Sequence, residues 1–337
     1  MSRKQPPRPP QRHFRKTPIG ELIMNQMGIK AAESVDFDAI EKLLAEPARK
    51  ESIQLLRVRE REAEEERIRS LQAALLENPN DLQRLEALAL SFRKLERTRE
   101  LLGVYRRLQI LQPERTDLPH MIAALSGDAA PSRASDEYVR KEFDGFADSF
   151  DSTLSTWLEY RAPQIVCDAV RQALDGEVTA ATIDLGCGTG LAAPLLRPLT
   201  RRLEGVDLSP RMLAKAHARG GYDALHEGEI GKFLEPRRGQ YTLAVACDVF
   251  CYFGELEATF RLVHAALKPG GLFAFTVERL GETGHVLQAN GRYAHSDRFI
   301  REAGAAAGLE LLRDDEVTLR MELHKPVIGG CYLFRRR

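Results

Sequence analysis

Asp184-Leu185-Gly186-Cys187-Gly188-Thr189-Gly190 stands directly after the β-branched-rich run Val178 to Ile183. Three glycines at alternate positions behind an acid make a turn without side chains, so a ligand can approach the backbone. If the apolar stretch that follows opens a helix, its first N–H groups face that ligand. Strand, bare turn and helix start together are the layout of a cofactor cradle. Further carboxylates follow at useful offsets. The run Leu203 to Val206 ends in Asp207, seventeen residues beyond Gly190, where an acid can accept both hydroxyls of a ribose. A third strand-like run, Tyr222 to His226, leads to Gly228-Glu229-Ile230, whose carboxylate and next N–H could read the edge of an adenine. A fourth, Tyr241 to Ala246, ends at Cys247-Asp248, and a fifth, Leu272 to Val277, follows the turn Lys268-Pro269-Gly270-Gly271. If the strands are parallel, their ends share one rim.

A nicotinamide dinucleotide site would need G-x-G-x-x-G. Counted from Gly186, its third glycine falls on Leu191. Asp184 to Gly190, Asp207, Glu229 and the Lys268 to Gly271 turn instead resemble the class I S-adenosylmethionine-dependent methyltransferases. The similarity extends to methyltransferases with an N-terminal tetratricopeptide region through Tyr138-Val139, the aromatic series Phe143, Phe146 and Phe150, Tyr160-Arg161-Ala162-Pro163, and Gly291 to Ser296. The resemblance implies an α/β fold: a seven-stranded Rossmann-like sheet with helices on both faces, closed by an antiparallel pair at Leu309 to Leu312 and Gly330 to Phe334. It implies S-adenosylmethionine as cofactor and no metal. Asp184 with the backbone of Gly186, Gly188 and Gly190 would hold the methionine end, Asp207 and Leu208 the ribose, Glu229 and Ile230 the adenine. Cys247 would line the site, and Asp248 would meet the methionine ammonium or the acceptor. Tyr138 and Phe146 would belong to a helix covering the cofactor, and Arg161 is a candidate for its carboxylate.

On the acceptor side the candidates are Tyr293 and His295, after the fifth strand. A histidine there can take a proton from an oxygen or nitrogen nucleophile, or serve the start of a helix near Ser296. Cys247 lacks the preceding proline of cytosine-C5 methylation motifs, since residue 246 is Ala246. Cys247-Asp248-Val249-Phe250 also differs from the Asp/Asn-Pro-Pro-aromatic string of nucleobase amino methylation.

These residues need a domain to hold them, and 337 residues with 43% hydrophobic content suffice for two. Three segments are expected: a basic, proline-rich tail over 1–35, an all-α tetratricopeptide-like region over 36–130, and the methyltransferase over 131–337. The tail carries Arg3, Lys4, Arg8, Arg12, Arg15 and Lys16 with five prolines and no acid in its first twenty residues. In the middle region Arg49 to Arg69 interleaves basic and acidic residues on a long helix. Pro79 and Pro113 are 34 residues apart, the tetratricopeptide period. That register puts Leu85, Leu88, Ala89, Phe92, Leu101, Tyr105 and Leu108 at packing positions, with Met121 to Leu125 as a capping helix. Ser126 to Ser132 has the composition of a linker.

Net charge is zero, which argues against a surface-wide nucleic-acid footprint; the tail is where nucleic acid would tether. No apolar run is long enough to span a membrane. Five cysteines without a C-x-x-C pair suit reduced thiols and a cytoplasmic protein. The expected function is methyl transfer to a small molecule. The alternatives are a protein or RNA acceptor recruited by the helical region and tail, and a tetratricopeptide binding or scaffold protein whose cofactor fold is not catalytic.

Overall fold

A computed structural model describes residues 47–337, apart from 128, 149, 152–158 and 323–324. The expected tail over 1–35 lies outside the described residues. Backbone contacts divide the chain into two units, Met1–Ala74 and Leu75–Arg337. Helix α1 (Pro47–Glu77) supplies the described part of the first.

Within the second unit, α2 (Leu82–Lys94) and α3 (Thr98–Leu111) form a pair around the seven positions expected to pack, all of them buried. Asp81 starts α2 by accepting the Arg84 N–H at 3.0 Å. Helix α4 (Asp117–Ser126) ends at Gly127, whose φ of 71° is the left-handed stop that glycine tolerates. α4 is fastened to the sheet region. Its buried His120 donates from Nε2 to the Gly291 carbonyl at 2.8 Å, and its ring lies 4.6 Å from that of Tyr138. The expected linker is also pinned. Pro131 O accepts the Tyr293 hydroxyl at 2.5 Å, and Ser132 O accepts the N–H groups of Gly254 and Glu255 at 2.8 Å.

Helices α5 (Asp136–Phe146) and α6 (Ala162–Leu174) precede the sheet. Then strand and helix alternate: β1 (Thr182–Leu185), α7 (Ala193–Leu196), β2 (Leu203–Asp207), α8 (Pro210–Arg219), β3 (Ala224–Glu227), α9 (Ile230–Leu234), β4 (Tyr241–Ala246), α10 (Glu257–Ala266) and β5 (Leu267–Arg279). The apolar stretch after the glycine turn forms only the short helix α7 and one tighter turn over Arg197–Leu199, and Pro198, which lacks the N–H that would continue the α-helical ladder, marks the break. Strand order is β3-β2-β1-β4-β5, all parallel, with β9 (Lys325–Arg336) antiparallel to β5 and β8 (Leu309–Glu322) outside it. Those are the expected seven. Two short strands join the far end of β5, β6 (His285–Leu287) and β7 (Tyr293–His295), making nine. Helix α11 (Asp297–Ala306) links β7 to β8.

Strand periodicity feeds two cores. Leu243, Val245, Leu272 and Ala274 pack with Val166 and Leu196 on one face, while Ala244, Ala246, Phe273 and Phe275 pack with Phe260 and Ile300 on the other. Parallel strands buried on both faces read as continuous apolar runs. Order reverses between β1 and β4, and the crevice beyond the strand ends at such a reversal is where open α/β sheets bind ligands.

Candidate active site

The glycine loop is tied to the neighbouring strand: the N–H groups of Gly186 and Cys187 donate to Val206 O at 2.8 and 3.0 Å. Gly186 has φ of 67°, and a Cβ there would lie 2.6 Å from Val249 Cγ2. Gly188 has φ of 54° but open space where a Cβ would point. The first glycine is required by packing and the second leaves room for a ligand.

Asp207 closes the loop from β2. Its Oδ2 accepts the Gly188 N–H at 2.8 Å and its Oδ1 the Ser209 N–H at 2.9 Å. Each oxygen keeps a lone pair, so the carboxylate is oriented and still able to accept. Burial raises its pKa, and those backbone donors work against the rise. Asp184 is 1% exposed and accepts the Tyr222 hydroxyl at 2.6 Å. Burial pushes its pKa up to about 7, opposed by that hydrogen bond.

The rim opens into a cleft. Gly186, Gly188, Asp207, Leu208, Glu229, Ile230, Cys247 and Asp248 all line it. A narrower recess beside it contains Asp184 with Thr189, Phe150 and Tyr160. Gly190 lines neither; a Cβ there would press on Tyr222 and Ala216, so its bareness serves helix packing. Glu229 lines the cleft while capping α9, its Oε2 accepting the Lys232 N–H at 2.9 Å. The opposite wall is aromatic: Phe143, Phe146, Phe150, Tyr160, Tyr252 and Phe253. Tyr138 instead packs in the core against His120. The aromatic segment is latched by its carboxylates. Asp144 accepts the Ser209 hydroxyl at 2.5 Å, Asp148 pairs with Arg211 at 2.6 Å, and Asp151 accepts the Thr189 hydroxyl at 2.5 Å and pairs with Arg219.

One part of the wall was not anticipated from the sequence. Arg320, 1% exposed, donates from Nε to Glu322 at 2.6 Å, from Nη1 to Asp248 at 3.2 Å and from Nη2 to Glu278. Arg292 Nη1 approaches Glu278 at 3.2 Å and Asp248 at 3.7 Å, with its guanidinium 5.9 Å from the centre of the Tyr252 ring. Burial opposes the charge on Glu278, yet Arg320 and Arg292 hold its pKa below the ordinary value. Burial likewise opposes Arg320, and Asp248 and Glu278 hold it charged. Removing one member would strand a buried charge, a cost of about 3–5 kcal/mol.

Tyr293 and His295 do not reach the cleft. Both are fully buried, Tyr293 with its hydroxyl on Pro131 O and His295 with Nε2 donating to Phe253 O at 2.8 Å. Burial pushes His295 down to about 4 and leaves it neutral. The cap of α11 is Ser296, whose hydroxyl accepts the Phe299 N–H at 3.2 Å. Both residues sit on β7, off the lining of the cleft that Arg292 enters. Arg161 also lies off the cleft lining. The Cys247 thiol is raised well above its ordinary pKa by burial, which disfavours a nucleophilic thiolate. Among the described residues no cluster of His, Cys, Asp and Glu is placed to hold a metal ion, and no helix is long and apolar enough to cross a membrane.

A glycine loop after β1, a strand-end acid on β2, the 3-2-1-4-5 parallel order and an antiparallel closing pair define the class I S-adenosylmethionine-dependent methyltransferase fold. Residues 157–313 match the family described as a methyltransferase domain, whose cofactor is S-adenosylmethionine. The chain is 44% identical over 136 residues to methyltransferase-like protein 27 of Homo sapiens, covering 40% of this chain and 55% of that protein. It is 32% identical over 101 residues to a ubiquinone biosynthesis O-methyltransferase of a Methylobacterium species, covering 29% and 41%. The chain thus spans about half the length of these curated relatives. Among solved structures it resembles the [4+2]-cyclase SpnF, with TM-score 0.50 and 16% identity over 61% of this chain and 97% of that one. A cyclase on this fold shows that the architecture alone does not dictate the reaction.

Proposed function

We propose that the protein transfers the methyl group of S-adenosylmethionine to a small-molecule acceptor. One observation carries the reading: a single cleft joins the strand-end carboxylates to an aromatic wall. The residues fit the cofactor. Asp207, held by two backbone N–H groups, would take the ribose, the bare face of Gly188 would let the cofactor approach, and Asp184 in its recess would meet the methionine ammonium. Glu229 and Ile230 would bound the adenine. When bound, S-adenosylmethionine supplies a methyl group on a positively charged sulfur that is already a good leaving group. The protein's task is then to bring the acceptor into line and exclude water, and the latched aromatic segment is suited to both.

The same reading takes residues 131–337 as the catalytic part and 36–130 as a tetratricopeptide-like region, supported by the proline spacing and the buried positions of α2 and α3. It also takes the protein as cytoplasmic, which suits cysteines that are all unpaired. A protein partner for the helical region is a further proposal.

Calorimetry with S-adenosylhomocysteine tests the cofactor site. Asp207→Ala should weaken binding about tenfold to a hundredfold, the loss of ~1.5–3 kcal/mol of charge-assisted hydrogen bonding. Unchanged affinity in the variant, or tighter binding of NAD by the parent, overturns the assignment.

A further inference from the structure

Arg292 is the one arginine of the buried network that both lines the cleft and has hydrogen bonds described only through Nη1, whereas Arg320 engages Nε, Nη1 and Nη2. We propose that the Nε and Nη2 edge of Arg292 reads a carboxylate on the acceptor, making that acceptor an organic acid with a flat or apolar body. The proposal rests on the methyltransferase reading and deepens it.

Arg292 is positioned by elements outside the core sheet. It follows Gly291 in the β6–β7 turn, whose carbonyl is gripped by His120, and its own N–H donates to Asn290 Oδ1 at 2.9 Å. On one side Glu278 and Asp248 fix Nη1. Glu278 is in turn held by Arg320 and by Gln288 Nε2 at 2.9 Å. A guanidinium fixed at one nitrogen presents the remaining pair as a fork that matches a carboxylate bidentately. Arg292 and Arg320 face three carboxylates, Asp248, Glu278 and Glu322, so the network carries a formal charge of −1 before a ligand arrives, and an anion on the Arg292 fork relies on the sulfonium of the cofactor to offset its charge. A dianionic phosphate suits the site poorly, since a single fork among phenylalanine rings does not repay its desolvation. The apolar part of the acceptor has the aromatic wall, in which Phe143 meets Tyr252 edge to face at 5.5 Å.

The test uses the full chain saturated with S-adenosylhomocysteine, with benzoate, cinnamate and octanoate as probes against their uncharged amides. At least one acid should bind tenfold or more tightly than its amide. Arg292→Gln should abolish that preference, and Arg292→Lys, which keeps the charge but loses the fork, should retain part of it. S-adenosylhomocysteine affinity should be the same in all three proteins. Equal binding of acid and amide, no binding of any acid, or a preference that survives Arg292→Gln overturns the proposal. So does a parallel loss of S-adenosylhomocysteine affinity in Arg292→Gln, which would move Arg292 to the cofactor site. Failure of the parent to bind S-adenosylhomocysteine refutes the methyltransferase reading instead.

Discussion

Asp184 links cofactor binding to pH. Its carboxyl sits 1% exposed, and burial raises it from 3.8 to about 7. A shift of that size is roughly 4 kcal/mol of penalty on the charged form. Between about pH 4 and pH 7 the unfolded chain has released this proton and the folded chain has kept it, so folding stability falls as pH rises through that window. A cationic ligand reverses the balance. If the methionine ammonium docks on Asp184, the bound state holds it ionised, and at pH 7 about half a proton should leave per cofactor bound. With the bound form fully ionised, affinity should drop about tenfold from pH 8 to pH 6. Calorimetry at pH 7 in two buffers of different ionisation enthalpy measures the proton directly. Adenosine, which lacks the amino-acid end, should bind without the release, and Asp184→Asn should lose it for the complete ligand. Tyr222→Phe removes the hydrogen bond that favours the ionised form and should move the midpoint to higher pH. Identical heats in the two buffers, or the same release from Asp184→Asn, would refute the docking of the ammonium on this carboxylate.

Two other perturbations separate structural from chemical roles. His295→Ala should leave the pH profile of turnover unchanged, because the ring is off the cleft. It should destabilise the fold by about 1–3 kcal/mol through the unpaired Phe253 carbonyl, read by chemical denaturation. In the parent, the depressed pKa of His295 means that its contribution to stability is complete above about pH 6.5 and lost as pH falls toward 4. A chain begun at Pro131 should keep the cofactor cradle but lose His120 and Met121 from Tyr138 and Gly291. It should therefore melt several degrees lower; an unchanged melting temperature would make α2 to α4 energetically independent.

The rim at the strand ends was legible because its rules are local. A glycine turn behind a β-branched run, and acids where apolar runs stop, need only strand periodicity and steric limits at positive φ, so Asp184, Gly186, Gly188, Asp207 and Glu229 fall on one rim once the strands are parallel. The β6–β7 hairpin has a local signal of its own in Asn290-Gly291, a strong hairpin turn dipeptide. The second strand it introduces pairs His295 with β5 and β6 and turns the ring inward, which the position after the fifth strand does not by itself reveal. No local rule reaches the rest. Tyr222 meets Asp184 across 38 residues and Arg320 meets Asp248 across 72. The sequence by itself determined which bare turn and which strand-end carboxylates would meet at one rim, through steric and periodic constraints acting over a few residues. Only the tertiary structure decided which charges face the acceptor, because a buried ion pair is chosen by the low dielectric and the geometry of its final surroundings, and neither exists until distant segments have packed.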